Sequence, residues 1–529
     1  MIGIISFLAF TITVALIAYL STRNTDEGSS DGYFLGGRSL TAPIIAGSLL
    51  LTNLSAEQLV GLNGQSFTEG ILVMAWETLA AIAMVITAIF LLPRYLKGGL
   101  TTIPQFLEER FDRGTKTFAT ILFLSGYVII LLPSVLYSGS IAISAIFDFP
   151  TLLGVNKTVA IWISVWSIGI IGSIYAIFGG LRAVAVSDAI NAIGLIVGGI
   201  CIPIFGLQMI GDGSIYEGAT LLINSHPEKF NAIGSENNTV PFSTIFTGMM
   251  LVQLFYWGTN QSIIQRALGA KNLKEGQKGV LLAAFFKILG PLILVLPGVI
   301  AFHMFEGKID KPDEAYGMLV TAVLPVYLVG FFAAVLFGAI LSSFNSVLNS
   351  SVTLFGKDIY QQYFDTNATE RQAVKAGKIF GSILAFLAMF IAPFIAYAPD
   401  GLFGYLQEVS GAYYIPILTI VIVGYLSKRI PAMAAKISLT VGVLGYIFFL
   451  GYKYFILDNS KDALHFLHVY AIMFVFCVLL MYGIGKLYPR EKAFYQEYTQ
   501  KVAIEPWRYV MPVGMAISVI VIGIYMYFS

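Results

Sequence analysis

Apolar stretches of about 20 residues or more recur some fourteen times along this chain, and no other feature limits its fold so strongly. They lie near residues 2–21, 41–64, 70–95, 118–147, 159–178, 186–210, 242–265, 279–304, 317–355, 377–398, 401–426, 433–453, 463–485 and 508–528. A helix needs about 20 mostly apolar residues to cross the hydrocarbon core of a bilayer. The pattern therefore predicts an all-α polytopic membrane protein with about fourteen transmembrane helices. Composition agrees. Of the 529 residues 57% are apolar and 12% charged, and the mean hydropathy is +0.81, which excludes an ordinary soluble protein. Residues 1–20 carry no basic leader and no small-residue cleavage pattern, so they read as a retained span. No connecting segment is long enough for a separate soluble domain, and residues 1–529 read as one membrane-embedded unit.

Loop charge sets the orientation. With the loops numbered in order, the odd ones carry 24 of the 31 Lys and Arg and the even ones six; the last, Lys287, lies inside a span. Both termini are then expected outside the cytoplasm, the odd loops inside it, and the longest even loop, 211–241, outside. A net charge of +1 leaves no footprint for nucleic acid. Cys201 and Cys477 both fall in apolar segments and suggest neither a disulfide framework nor a metal pattern. The four histidines are scattered; His465 and His468 read as an interfacial pair without a metal. No nucleophile–base pair is evident, so an enzyme is not expected.

The second span departs from the apolar pattern. Ser48–Gly64, reading SLLLTNLSAEQLVGLNG, gathers Thr52, Asn53, Ser55, Glu57 and Gln58 at its centre. An ionisable side chain deep in a bilayer is costly, so this stretch is expected to line a polar cavity. Other ionisable groups fall inside spans: Glu77 in the third, Asp188 in the sixth and Lys287 in the eighth. Glu77 and Lys287 could pair with each other or bond the hydroxyls of a solute. Gln253, Tyr256, Trp257, Asn260 and Gln261 in the seventh span add amides and aromatic faces, as do Gln407, Glu408, Tyr413 and Tyr414 in the eleventh. Those are the groups that suit a sugar ring. In the ninth span Ala339, Ser342, Ser343 and Ser346 fall at spacings of three and four on one face. They form either a small-residue packing face or a set of oxygen ligands. If the second span unwinds at Leu51–Leu54, its freed carbonyls and those hydroxyls would make an all-oxygen shell for a monovalent cation, as broken helices do in secondary transporters. Glu57 itself is expected to be structural.

Six stretches in order carry a family resemblance: TNLSAEQLVG (52–61), AWETLAA (75–81), FGGLRAVAVSDAIN (178–191), FYWGTNQSIIQRALGAKN (255–272), LSSFNSVLNSSVTLFGKDIY (341–360) and YLQEVSGAYYIPIL (405–418). The chain resembles the sodium:solute symporter family, in particular bacterial members of its sodium/glucose (or galactose) branch. The resemblance implies a LeuT-like inverted-repeat core over 41–426 with a discontinuous second helix. It implies peripheral helices at 1–22 and 433–529 and a place in the bacterial inner (plasma) membrane. It implies a sodium site formed by Leu51, Leu54, Ala339, Ser342 and Ser343, and a sugar pocket formed by Asn53, Gln58, Glu77, Gln253, Lys287 and Gln407. Tyr256 and Trp257 would gate the pocket. Asp188 and Ser346 match a second sodium site of some members, but Asn345 replaces a hydroxyl of two-sodium relatives. The alternative for Asp188 is a pairing with a base such as Arg182. Ala80 and Gln253 depart from the family's serine and asparagine and leave the identity of the hexose open. The implied activity is inward sodium flux coupled to sugar uptake by alternating access, with Na+ as co-transported ion and a sugar, sodium and the lipid bilayer as partners. Its rivals are a sodium symporter for a non-sugar solute and a transporter-like membrane sensor.

Overall fold

The computed structural model describes residues 2–22, 30–309, 311–397, 402–457 and 463–529. Arg23 and Lys461, which contribute to the loop-charge bias, lie outside the described residues. Ten helices among those described are long and apolar enough to cross a membrane, or eleven with the bent pair Leu273–Ile288 and Gly290–Phe305 taken as one. The first helix, Ile2–Thr22, and two spans broken in mid-course complete the fourteen. Gly70, at φ +80°, turns the chain after Glu69 and separates the second span from the third. The fifth and sixth spans, Lys157–Tyr175 and Leu181–Ile210, follow one another with helical backbone between them.

Prolines shape the spans in a regular way. Pro93 and Pro133 lack the N–H that would close the preceding turn, and each follows a widened π-turn, Thr87–Leu91 and Tyr127–Leu131. The eighth span bends by 50° around Leu289, next to Pro291.

The second span is discontinuous, as expected. Its halves are Ala42–Asn53 and Ala56–Glu69. The break lies slightly later than the sequence suggests. Leu51 is still helical; Leu54 (φ −75°, ψ 58°) and Ser55 (φ −87°, ψ 179°) leave the helix. The Ser55 N–H turns to the Asn53 carbonyl and away from Leu51. A second break was not expected. The seventh span consists of Gly248–Gly258 and Gln261–Leu268, with Asn260 capping the second half through its side chain. The broken spans thus stand five apart in order. Close approaches hold them in place. A Cβ at Gly47 would meet Ala189 Cα at 2.7 Å, and one at Gly61 would meet Phe403 Cβ at 2.6 Å.

One end of the bundle is sealed around the second half of the seventh span, Gln261–Leu268. Gln261 donates to Thr101 O (3.1 Å) and accepts from Ile103 N (2.9 Å). Arg38 donates to Gly99 O (2.8 Å) and Leu268 O (3.3 Å). An extended segment over 488–509 straps this face. Its backbone bonds Lys428, Arg429, Lys97 and Leu273, and Trp507 N donates to Gln277 Oε1 (2.8 Å). Arg110, fully buried, donates to the carbonyls of Gly424 (2.9 Å), Ser427 (2.8 Å) and Ile430 (3.1 Å), capping the end of the eleventh span.

On the opposite face Lys229, from loop 211–241, donates to Phe67 O (3.1 Å) and Thr68 O (2.5 Å) and caps the outer half of the second span. The histidine pair lies there too. His465 meets Thr239 O at 3.2 Å, with burial pushing its pKa down to about 4, and His468 meets Ser243 and Thr247. Arg110→Met should strand three acceptors and cost about 3 kcal/mol. The check is a fall of several degrees in apparent melting temperature in detergent.

Candidate functional site

The break in the second span and the hydroxyl face of the ninth meet directly. Ser343 Oγ donates to Thr52 O at 2.8 Å, replacing a helical bond lost at the break. Thr52 Oγ1 lies 3.3 Å from Ser342 Oγ and 3.2 Å from Ser346 Oγ. Leu51, Leu54 and Ala339 are buried beside them. The sequence placed Thr52 in the polar cluster but gave it no role. Its hydroxyl in fact ties the two elements together.

One turn earlier in the second span, at Ser48, lies a buried charge network. Ser48 Oγ donates to Asp188 Oδ2 (2.7 Å), and Arg266 Nε donates to Ser48 Oγ (2.9 Å). Arg266 also bonds Ser262 O and Ser346 Oγ, and its guanidinium lies 3.9 Å from Asp188. From the sequence Arg266 counts as a cytoplasmic loop charge. It is instead fully buried in the inner half of the broken seventh span. Asp188 therefore has Arg266 as a charge partner, and Ser346 is bonded to the same guanidinium.

The expected sugar pocket lies on the other side of the break. Lys287 Nζ bonds both Glu77 Oε2 and Asn53 Oδ1, so these three side chains are joined to one another. Gln253 donates to Trp76 O at 2.8 Å. Trp257 stands 5.5 Å from the Lys287 ammonium, with Tyr256 against it at 5.3 Å. Gln58 and Gln407 differ from the rest, since each has a buried Oε1 without a hydrogen-bond partner. The outer half of the second span runs against the eleventh span, with Gly61 on Phe403 and Gln65 near Gly404. Ser55 Oγ and the Trp76 indole N–H are also unpartnered, and Trp76 packs edge-on to Phe403 at 5.2 Å. An unpaired buried polar group costs about 1–3 kcal/mol. Gln58, Gln407, Ser55 and Trp76 thus leave polar atoms free to bond a polar ligand.

The comparisons with known proteins agree with this architecture. The model of the sodium:solute symporter family matches residues 33–442, and the chain belongs to that family. It is 46% identical to the "Uncharacterized symporter YidK" of Escherichia coli (strain K12) over 99% of this chain and 90% of the relative. It is 31% identical to the "Sodium/glucose cotransporter" of Vibrio parahaemolyticus over 83% of this chain and 82% of the relative. Among solved structures, a Na+-coupled sialic acid symporter in a substrate-bound outward-open state superposes with a TM-score of 0.78 at 19% identity, covering 93% of this chain and 99% of that one. MhsT in complex with L-phenylalanine superposes at 0.51 and 12% identity, covering 84% and 98%. The shared fold is the LeuT-type inverted repeat. The protein is a multi-pass membrane symporter with sodium as its co-transported ion.

Removing one partner of a buried ion pair costs about 3–5 kcal/mol, more than removing both. Lys287→Met should therefore destabilise strongly, and Glu77→Gln combined with Lys287→Met should recover much of the loss. Thermal unfolding of the two single variants and the double variant measures the cycle.

Proposed function

We propose that the protein couples inward sodium flux to uptake of a hexose-type sugar by alternating access. The observation that supports this reading is the break in the second span, which meets hydroxyls of the ninth span at Thr52 and the Lys287–Glu77 pair at Asn53. On one side stand Leu51, Leu54, Ala339, Ser342 and Ser343, a neutral oxygen shell suited to sodium. On the other stand Asn53, Gln58, Glu77, Gln253, Lys287 and Gln407, amide and charged groups suited to hydroxyls. The sodium/glucose cotransporter among its relatives supports a sugar over other solutes. Tyr256 and Trp257 gate the pocket toward the cytoplasm. In this reading the transport core is 41–426, with 1–22 and 433–529 peripheral. The protein sits in a bacterial inner membrane with both termini outside, and it is a carrier, not an enzyme or a sensor.

Sodium binds first in the proposed cycle and steadies the break, which sets Asn53 and Gln58 for the sugar. The cytoplasmic seal around Gln261 and Arg38 then opens. A cation moving inward gains about 2.3 kcal/mol per 100 mV. We infer one sodium per cycle, because Arg266 already engages Asp188 and Ser346.

A proteoliposome panel of hexoses, polyols and amino acids, with and without a sodium gradient, tests the reading. Sodium-dependent uptake of a hexose is expected, and uptake of none but non-sugar solutes would overturn the substrate assignment. Glu77→Gln combined with Lys287→Met, the combination expected to recover the fold, should abolish sugar uptake. Ser343→Ala should raise the sodium concentration for half-maximal uptake about tenfold or more, the loss of one buried hydrogen bond and ligand.

A further inference from the structure

The deep carboxylates of this bundle are not equivalent. Glu77 is paired with Lys287, Asp188 faces Arg266, and Glu408 bonds Lys453 at 2.6 Å. Glu57 forms no ion pair among the described residues. It is only 9% exposed, and its Oε2 makes no hydrogen bond. The titratable groups that face it are the phenols of Tyr256 and Tyr414. Of these four acids Glu57 alone has no basic partner among the described residues, so its carboxyl is the one left free to answer a cation.

The ligands proposed for sodium are all neutral carbonyls and hydroxyls. A cation held by neutral oxygens away from water lacks the counter-charge that would offset its desolvation. Glu57 lies three residues beyond Leu54, in the first turn of the half-helix Ala56–Glu69. The dipole of that half-helix favours a carboxylate at this end. We propose that Glu57 is the counter-charge of the transported sodium. It acts through its field without entering the oxygen shell and is in that sense a positioning residue. The proposal rests on the sodium-site reading above. It departs from the structural role that the sequence suggests for Glu57.

The test measures binding of radioactive sodium to the purified full-length protein in nanodiscs, with no solute present. Glu57→Gln keeps the side chain's shape and removes its charge. It should weaken sodium binding about tenfold or more, while Glu57→Asp should stay within about threefold of the native protein. Should Glu57→Gln fail to fold, Glu57→Asp against Glu57→Asn is a second pair matched in size and differing in charge. Equal sodium affinity within either pair overturns the proposal, including the case where only the KM for solute changes and Glu57 is a solute ligand. Ser343→Ala in the same assay separates the two claims. Native sodium affinity in that variant removes the sodium site itself. Weakened binding in Ser343→Ala with native binding in Glu57→Gln keeps the site and discards the counter-charge.

Discussion

The interruption of the second span at Leu54 and Ser55 is the constraint on which the rest of the structure depends. In a bilayer an open stretch of backbone survives only where protein or a polar cavity satisfies it. Neighbouring elements answer that demand one by one. The ninth span supplies Ser343 to the Thr52 carbonyl, and Ser342 and Ser346 to the Thr52 hydroxyl. The sixth span approaches closely at Gly47 and brings Asp188 to Ser48. The eighth sends Lys287 to Asn53. Three spans thus converge on the half-helix that ends at the break.

The same convergence gives coupling a physical basis. A ligand shifts a conformational equilibrium only by its differential affinity for the two states. Sodium held by the carbonyls around the break and a solute held by Asn53 and Gln58 would both stabilise the same backbone geometry. The second break, at Thr259 and Asn260, divides the seventh span at the point where the sealed end of the bundle begins. Tyr95 donates to Gly258 O at 2.8 Å and Tyr127 to Asn260 Oδ1 at 2.8 Å, so that break is satisfied from the third and fourth spans. Its inner half carries Gln261, Gln265 and Arg266, which bind the loops and the ninth span below the pocket. In the proposed cycle, opening at this end would part several of these bonds, each worth about 1 kcal/mol net. That total is similar in size to the electrical drive on one sodium.

Span number and the first break were legible in the sequence because both rest on strong local signals. Twenty apolar residues have few other uses, and Thr52, Asn53, Glu57 and Gln58 have no place against lipid. The second break was not read, although Gly258, Thr259 and Asn260 mark it, since the surrounding amides and aromatics read equally well as solute ligands on a continuous helix. Arg266 was misplaced for a related reason. Charge counting assigns a base near a span end to the loop, and nothing local reveals that the backbone dives back into the bundle. For Glu77 and Lys287 the sequence left pairing and solute binding open, and in the structure they pair. Gln253 proves bonded to the Trp76 carbonyl, a contact between spans that no spacing rule encodes. The unpartnered atoms of Gln58, Gln407 and Trp76 emerge only once three spans are packed together.

The central claim is that one break serves sodium and solute together. Equilibrium binding of sodium, measured with and without the sugar that the uptake panel selects, tests it most directly. Linkage requires the sugar to tighten sodium by the same factor by which sodium tightens the sugar. A reciprocal tightening of both is the predicted result. Sodium affinity indifferent to a saturating sugar would contradict coupling at the break.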